Sequence, residues 1–236
     1  MSRVEKRTKL DLEKVIFIGR TYEEYMDMFL LSEEELKGRQ ILDCPSGACS
    51  FTAEGRLRGL NITACDIAYD HCADDLRAKG QDDIQHAMTH MEKAKSNYVW
   101  DNFEDIDQLK KHREKALLTC TQDMKKNSER YMPVELPSLL FNDNEFDILL
   151  SAHFLFTYAD RLDLQFHLDT LNEMLRVTKE ELRLFPLVDL EGNRYEHLDR
   201  VIHYLKDHGY AVKEVKVPYE FQKGADSMLR VNKNHL

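Results

Sequence analysis

The chain predicts an α/β fold: a mostly parallel sheet with helices on both faces, closed at its end by an antiparallel hairpin. Three observations predict it. Short apolar runs, Gln40–Cys44, Asn61–Asp66 and Phe146–Ser151, alternate with amphipathic helical stretches. The run Phe146–Ser151 is nearly all apolar, as a strand covered on both faces must be. Near the C-terminus the period becomes two, with Val215, Val217, Tyr219 and Phe221 alternating with polar residues. A Lys223–Asp226 turn and a return strand Ser227–Val231 follow.

Taken in order, the first helix spans about Thr21 to Leu31, because Tyr22, Tyr25, Met26, Phe29 and Leu30 share one helical face. Ser32 and Glu35 form a capping-box signature for a short second helix that ends at Gly38. The strands Gln40–Cys44 and Asn61–Asp66 come next. The stretch 71–130 has one glycine, no proline and nearly balanced charge, which predicts two or three helices broken near Asn97–Asp101. Its basic residues Lys110, Lys111, Arg113, Lys115, Lys125 and Lys126 are interleaved with acids, the pattern of a solvated helix face. Tyr131–Val134 is a strand that Pro133 disfavours at the centre of a sheet. A turn at Asn142–Asn144 leads into Phe146–Ser151. Leu164, Leu168, Leu171 and Leu175 mark a helix, Glu181–Val188 a strand, and Leu198, Val201, Ile202 and Leu205 a helical stripe closed by Gly209. No internal repeat is present.

At 236 residues the chain makes one domain, 1–236, with 71–130 as a helical lid-like insertion. No apolar run reaches the ~20 residues of a membrane span, and the charged start Met1–Arg7 is not followed by a secretory apolar core. With 33 basic against 43 acidic residues, the net charge of -10 disfavours a nucleic-acid partner. Five cysteines without a CxxC indicate neither a disulfide framework nor a zinc ribbon, so a cytoplasmic chain with reduced thiols is expected.

Chemistry concentrates in Ile41-Leu42-Asp43-Cys44-Pro45-Ser46-Gly47-Ala48-Cys49-Ser50-Phe51, a strand ending in an acid, then tiny residues, then a helix. Small residues let a ligand approach the backbone, and a helix start offers free N–H groups. A plain strand-to-helix turn would look the same. Asp66 ends the next strand, twenty-three residues after Asp43, where a carboxylate can accept hydrogen bonds from a ribose diol or cap a helix. The segments ILDCPSGACSF, TACDIAYD and ELPSLLFNDNEFDILLSAHFLF resemble class I S-adenosylmethionine-dependent methyltransferases, over about residues 15–70 and 130–236. The resemblance implies a Rossmann-like seven-stranded sheet with a reversed last strand and S-adenosyl-L-methionine as cofactor, while the acidic charge and the enclosed, lidded site favour a small-molecule acceptor over nucleic acid. It implies that Asp43, Pro45, Ser46, Gly47 and Ala48 cradle the methionine end. It places Asp66 with Ile67 at the ribose, Glu135 with Leu136 at the adenine amine, and Ser151 beside the cofactor. Arg20 and Tyr25, ahead of the first strand, would close over it, with Arg20 on the carboxylate. The loop departs from the family in having Gly47 as its single glycine.

His153 and Tyr158, past the fourth strand, are the candidate catalytic residues, with Pro186 and Asp189 lining the acceptor pocket. His153 also suits a structural histidine. His86 and His90 share a helix face but lack the further ligands of a metal site. A nicotinamide-dependent oxidoreductase would need G-x-G-x-x-G, which Pro45–Ser50 does not supply. A nucleotide-binding or regulatory module of the same fold remains open.

Overall fold

The computed structural model describes residues 16–233; the charged start Met1–Arg7 lies outside the described residues. Seven strands form one sheet in the order β3-β2-β1-β4-β5-β7-β6. They are β1 (Gln40–Asp43), β2 (Asn61–Asp66), β3 (Tyr131–Pro133), β4 (Phe146–Ala152), β5 (Thr178–Phe185), β6 (Ala211–Lys216) and β7 (Ser227–Asn232). The first five are parallel, and β7 runs antiparallel between β5 and β6. The chain starts at the centre, winds outward through β1, β2 and β3, then returns to β4 beside β1. That return makes a topological switch point at the carboxyl ends of β1 and β4. Pro133 ends β3 at the sheet edge, where a missing N–H costs no ladder bond.

Alternate strand residues face opposite layers. Ile41, Ile62, Ile148 and Leu150 join the core beneath α1 (Tyr22–Met28), α3 (Phe51–Leu57), α4 (Ala73–Lys93) and α5 (Ile106–Met124). Leu42, Leu149, Leu182 and Leu184 join the core beneath α6 (Leu164–Val177) and α7 (Leu198–Asp207). The short α2 (Glu33–Leu36) begins with the Ser32 hydroxyl accepting the Glu35 N–H at 3.1 Å. The expected box is only half made, because the Glu35 carboxylate turns to Arg183. The complete capping box is Thr21 with Glu24, at the start of α1.

The insertion is an antiparallel pair, α4 against α5. Lys125 reaches Asp74 at one end, and Lys110 donates to Gln85 at 2.7 Å toward the other. At the crossing a Cβ on Gly80 would stand 2.5 Å from a Leu117 methyl, so glycine sets how closely the helices approach. The expectation of a wholly solvated basic face is corrected at Arg113, which is 1% exposed. Its guanidinium forks onto Glu24 at 2.5 and 2.8 Å, and Tyr219 donates to the same carboxylate at 2.7 Å.

Two strand expectations shift. β5 starts at Thr178, because α6 runs straight into it with the Thr178 hydroxyl on the Met174 carbonyl at 2.6 Å. β6 ends at Lys216, and residues 217–226 leave the sheet, so the hairpin has a long connection instead of a tight turn. Val217, Tyr219 and Phe221 are buried by the helices of the first layer: Tyr219 meets Glu24, and Phe221 stacks on Tyr98 with centroids 4.9 Å apart. Their alternation marks a strap across that layer.

Burial would raise the Glu24 carboxyl, but the charge and hydrogen bonds of Arg113, with the Arg20 charge and the Thr21 N–H, together outweigh it and hold the group at about 2. The folded value lies below the ordinary 4.5, so this stability is present above pH 4.5 and is lost as pH falls toward about 2. Arg113→Met leaves a buried carboxylate without its cation and should cost about 3–5 kcal/mol in urea denaturation. Adding Glu24→Gln should recover most of that loss and remove this acid-side contribution.

Candidate active site

The loop between β1 and α3 is pinned from beneath. Asp43 is fully buried and accepts from the Tyr25 hydroxyl at 2.9 Å and the Ser46 hydroxyl at 2.6 Å. The Ser46 N–H bonds the Cys65 carbonyl at 3.0 Å, tying the loop to the end of β2. Gly47 adopts φ +56°, the left-handed region that glycine enters without a Cβ penalty. Its N–H donates to one Asp66 oxygen at 2.9 Å, and the Ala68 N–H donates to the other at 2.9 Å. Tyr69 donates to the Gly47 carbonyl at 2.8 Å. Asp66 thus caps the short 3-10 turn Ile67–Asp70 and also clamps the glycine turn.

The segment before α1 lies directly on this loop. A Cβ on Gly19 would stand 2.0 Å from the Ala48 carbonyl oxygen, so only glycine permits the crossing. The Arg20 N–H meets the Cys49 sulfur at 3.2 Å, and its carbonyl accepts the Ser50 N–H at 3.0 Å. Arg20 therefore stands over the turn, with its Nε buried and without a partner among the described residues.

Arg20, Gly47, Asp66, Tyr98, His153 and Phe221 line one cleft, together with Pro45, Ser46 and Tyr158. It sits where the strand order reverses, the expected place for a ligand in such a sheet. His153 follows β4 at φ +53°, with its N–H on the Phe185 carbonyl at 2.6 Å and its Nδ1 buried without a partner among the described residues. Burial, then the charges of Arg20 and Arg113, hold its pKa well below the usual 6.5, so the imidazole is neutral at pH 7. Burial raises the Tyr158 hydroxyl, which stays protonated. Burial likewise raises Asp66, against the two backbone bonds it accepts.

The structure brings together seven of the expected site residues: Arg20, Pro45, Ser46, Gly47, Asp66, His153 and Tyr158. It corrects others. Tyr25 does not close over the cleft; its ring is fully buried, stacked on Phe51 at 4.7 Å, because its hydroxyl serves Asp43. Asp43, Ala48 and Ser151 lie in the layer behind the lining, each at most 3% exposed. Ile67, 58% exposed, and the exposed Glu135 fall outside the lining with Leu136, since the chain turns away after β3 with the Ser138 N–H on the Glu135 carbonyl. Asp189 accepts the N–H groups of Glu191 and Asn193 and lines an adjoining chamber; Pro186 lines neither. The His86 and His90 rings lie tilted with centroids 4.3 Å apart, and among the described residues no group of three or more His, Cys, Asp or Glu could hold a metal. Sequence reasoning missed Met91, Tyr98, Thr157, Phe221 and Gln222. Thr157 had one available signal, lying four residues past His153.

Burial pushes Asp43 from its ordinary 3.8 up to about 7, against the hydrogen bonds from Ser46 and Tyr25. Between those values the folded chain keeps a proton that the unfolded chain has released, so this contribution to stability falls as pH rises from about 4 to about 7. Asp43→Asn should shrink that slope, leaving the part due to Asp66, and should be at least as stable as the parent at pH 8. Urea denaturation at pH 5 and pH 8 checks this.

No protein-family model matches the chain. Among solved structures it is similar to magnesium protoporphyrin IX methyltransferase from Synechocystis PCC 6803 with bound SAM: 10% identity, 86% of this chain, 73% of that one, TM-score 0.45. It is similar to a SAM-dependent methyltransferase from Aquifex aeolicus: 16% identity, 89% and 91% covered, TM-score 0.39. It is also similar to the PH0226 protein from Pyrococcus horikoshii OT3: 13% identity, 97% and 95% covered, TM-score 0.46. In sequence it is 37% identical over 225 residues to the uncharacterized protein MJ0045 of Methanocaldococcus jannaschii, covering 95% of this chain and 99% of that one. The chain belongs to the same family as this Methanocaldococcus protein.

Proposed function

We propose that this protein is an S-adenosyl-L-methionine-dependent methyltransferase acting on a small-molecule acceptor in the cytoplasm. One observation carries the reading. Arg20, whose Nε is buried and unpartnered, faces the same cleft as the Gly47 turn and the strand-end Asp66, at the switch point of the sheet. A cation for a carboxylate, a backbone turn open to close approach and an acid for a ribose diol fit the two polar ends of that cofactor. Asp66 has used one lone pair on each oxygen for Gly47 and Ala68, and a carboxylate offers about four such sites.

When bound, the cofactor supplies an activated methyl group on a sulfonium, a good leaving group that needs no metal. The chain's own task is positioning and exclusion of water. Arg20 would take the carboxylate in a forked pair. Gly47 and Ser46 would let the ligand lie against the backbone, with Asp66 accepting the ribose hydroxyls. Neutral His153, unpartnered at Nδ1, would accept a proton from an acceptor that must lose one. Met91 from α4 and Tyr98 from the α4–α5 connection would cover the acceptor side, the role we assign to the insertion. No helix among the described residues is long and apolar enough to cross a membrane, and all five cysteines are free thiols, which suits a reducing compartment.

S-adenosylhomocysteine at ~100 times its dissociation constant should add about 2.7 kcal/mol of stability in a thermal-shift assay, while NAD should add none. Stabilisation by NAD alone would overturn the reading. Asp66→Ala should weaken binding of that ligand by about tenfold or more, since charged hydrogen bonds are worth about 1.5–3 kcal/mol each. His153→Ala should leave this affinity unchanged and lower methyl transfer by about a hundredfold, the low end for a general base. Fast turnover by His153→Ala would remove that role.

A further inference from the structure

The chain reaches α1 through a crossing segment, residues 16–20, that belongs to no strand of the sheet. Its side chains alternate. Ile16, Ile18 and Arg20 line the cleft, whereas Phe17 is 4% exposed and joins the core that α4 and α5 cover. The segment also lies on the glycine turn. A Cβ on Gly47 would stand 3.3 Å from the Ile18 carbonyl oxygen, and Gly19 crosses Ala48. A ligand on the Gly47 turn therefore has this segment as its other wall.

Backbone without a sheet ladder needs other anchors. Toward α1 the Arg20 carbonyl accepts the Ser50 N–H, and the Arg20 N–H meets the Cys49 sulfur, a weak acceptor. At the far end the Tyr158 hydroxyl bonds the Ile16 backbone. Between them the Phe17 N–H donates to the Asp83 carboxylate at 2.8 Å. A bond to an ionised acceptor is roughly twice as strong as one between neutral groups, so Asp83 is the firmest of these anchors. Its placement is unusual. Asp83 is the charged member of a buried α4 stripe that otherwise carries Gly80, Ile84, Ala87, Met88 and Met91. An acid at such a position is costly unless paired, and its partners include Lys79, one turn earlier, and the Phe17 N–H.

We propose that Asp83 is a positioning residue of the cofactor site: it holds residues 16–20 down on the Gly47 turn and thereby fixes the Arg20 guanidinium over the ligand. This deepens the methyltransferase reading and rests on it. Asp83 stands behind the crossing segment and acts through Arg20. The insertion then serves the cofactor side through Asp83 and the acceptor side through Met91. A ligand held between segment and turn leaves faster when the segment lifts more often, so the hold is read in the dissociation rate.

Stopped-flow dissociation of S-adenosylhomocysteine from the full chain tests this. Asp83→Ala, folded by circular dichroism, should release the ligand about tenfold faster than the parent. Asp83→Asn keeps a carbonyl oxygen for the Phe17 N–H and should stay within about threefold of the parent. In an Arg20→Met background, Asp83→Ala should change the rate less than about twofold, because the group that Asp83 positions is gone. Equal rates in Asp83→Ala and the parent, Asp83→Asn as fast as Asp83→Ala, or the same factor persisting without Arg20 each overturn the proposal. If Asp83→Ala does not fold, amide exchange in the parent is the test. The Phe17 N–H should exchange slowly, and at least about tenfold more slowly with S-adenosylhomocysteine bound. A Phe17 amide that exchanges freely in both states overturns the proposal. Failure of S-adenosylhomocysteine to bind the parent overturns the methyltransferase reading instead, so the two failures are distinct.

Discussion

The forked contact between Arg113 and Glu24, completed by the Tyr219 hydroxyl, ties three distant parts of the chain to one buried point. Glu24 belongs to the helix that precedes the sheet, Arg113 to the insertion, and Tyr219 to the strap between β6 and β7. These are the parts that stand around the cleft and lie outside the central strands. Removing two charges from water is costly, and the cost is met only where geometry and extra hydrogen bonds are good. Here the same carboxylate also accepts the Thr21 N–H at 2.8 Å, so the cluster sets where α1 begins. Just before that start, the chain crosses the loop at Gly19 and delivers Arg20 over Gly47. The cleft therefore depends on a buried ion pair that does not line it.

A second buried arginine acts in a similar way on the far side of α1. Arg183 on β5 binds Glu181, Glu35 and the Phe29 carbonyl, anchoring the end of α1 and the start of α2 to the sheet. Between these anchors the loop electrostatics are frugal. Asp43 holds its proton more tightly than a free carboxyl and serves the loop from beneath, whereas Asp66 meets the cleft. Two strand-end acids, equivalent in sequence, have different tasks because one is sealed behind Tyr25 and the other is reached from the cleft.

The fold was largely legible because its signals are local. Apolar runs located β1, β2 and β4, and one-face stripes located α1, α6 and α7. Pro133 placed β3 away from the centre. Asp66, Gly47 and His153 were legible because they end strands or fill turns, and a strand end in a parallel sheet has a known destination. What failed was long-range. The sequence around Arg113 reads as a solvated basic face, since nothing local reveals a carboxylate from residue 24. Val217, Tyr219 and Phe221 alternate like a strand, but they pair with no strand: Tyr219 meets Glu24 and packs on Phe185, and Phe221 stacks on Tyr98. Tyr25 and Asp43 were placed at the cofactor because a residue one shell behind a lining carries the same local pattern as the lining. Tyr98 entered the cleft through tertiary packing against the strap, which no spacing encodes.

The central claim is that Arg20 and Asp66 mark the two ends of one cofactor site. A crystal structure with S-adenosylhomocysteine tests it most directly. The account predicts the ligand's carboxylate within hydrogen-bond distance of the Arg20 guanidinium, its ribose hydroxyls on Asp66, and its sulfur facing the chamber that holds His153. A ligand bound elsewhere, or in this cleft with the carboxylate on another group and the ribose away from Asp66, would contradict it.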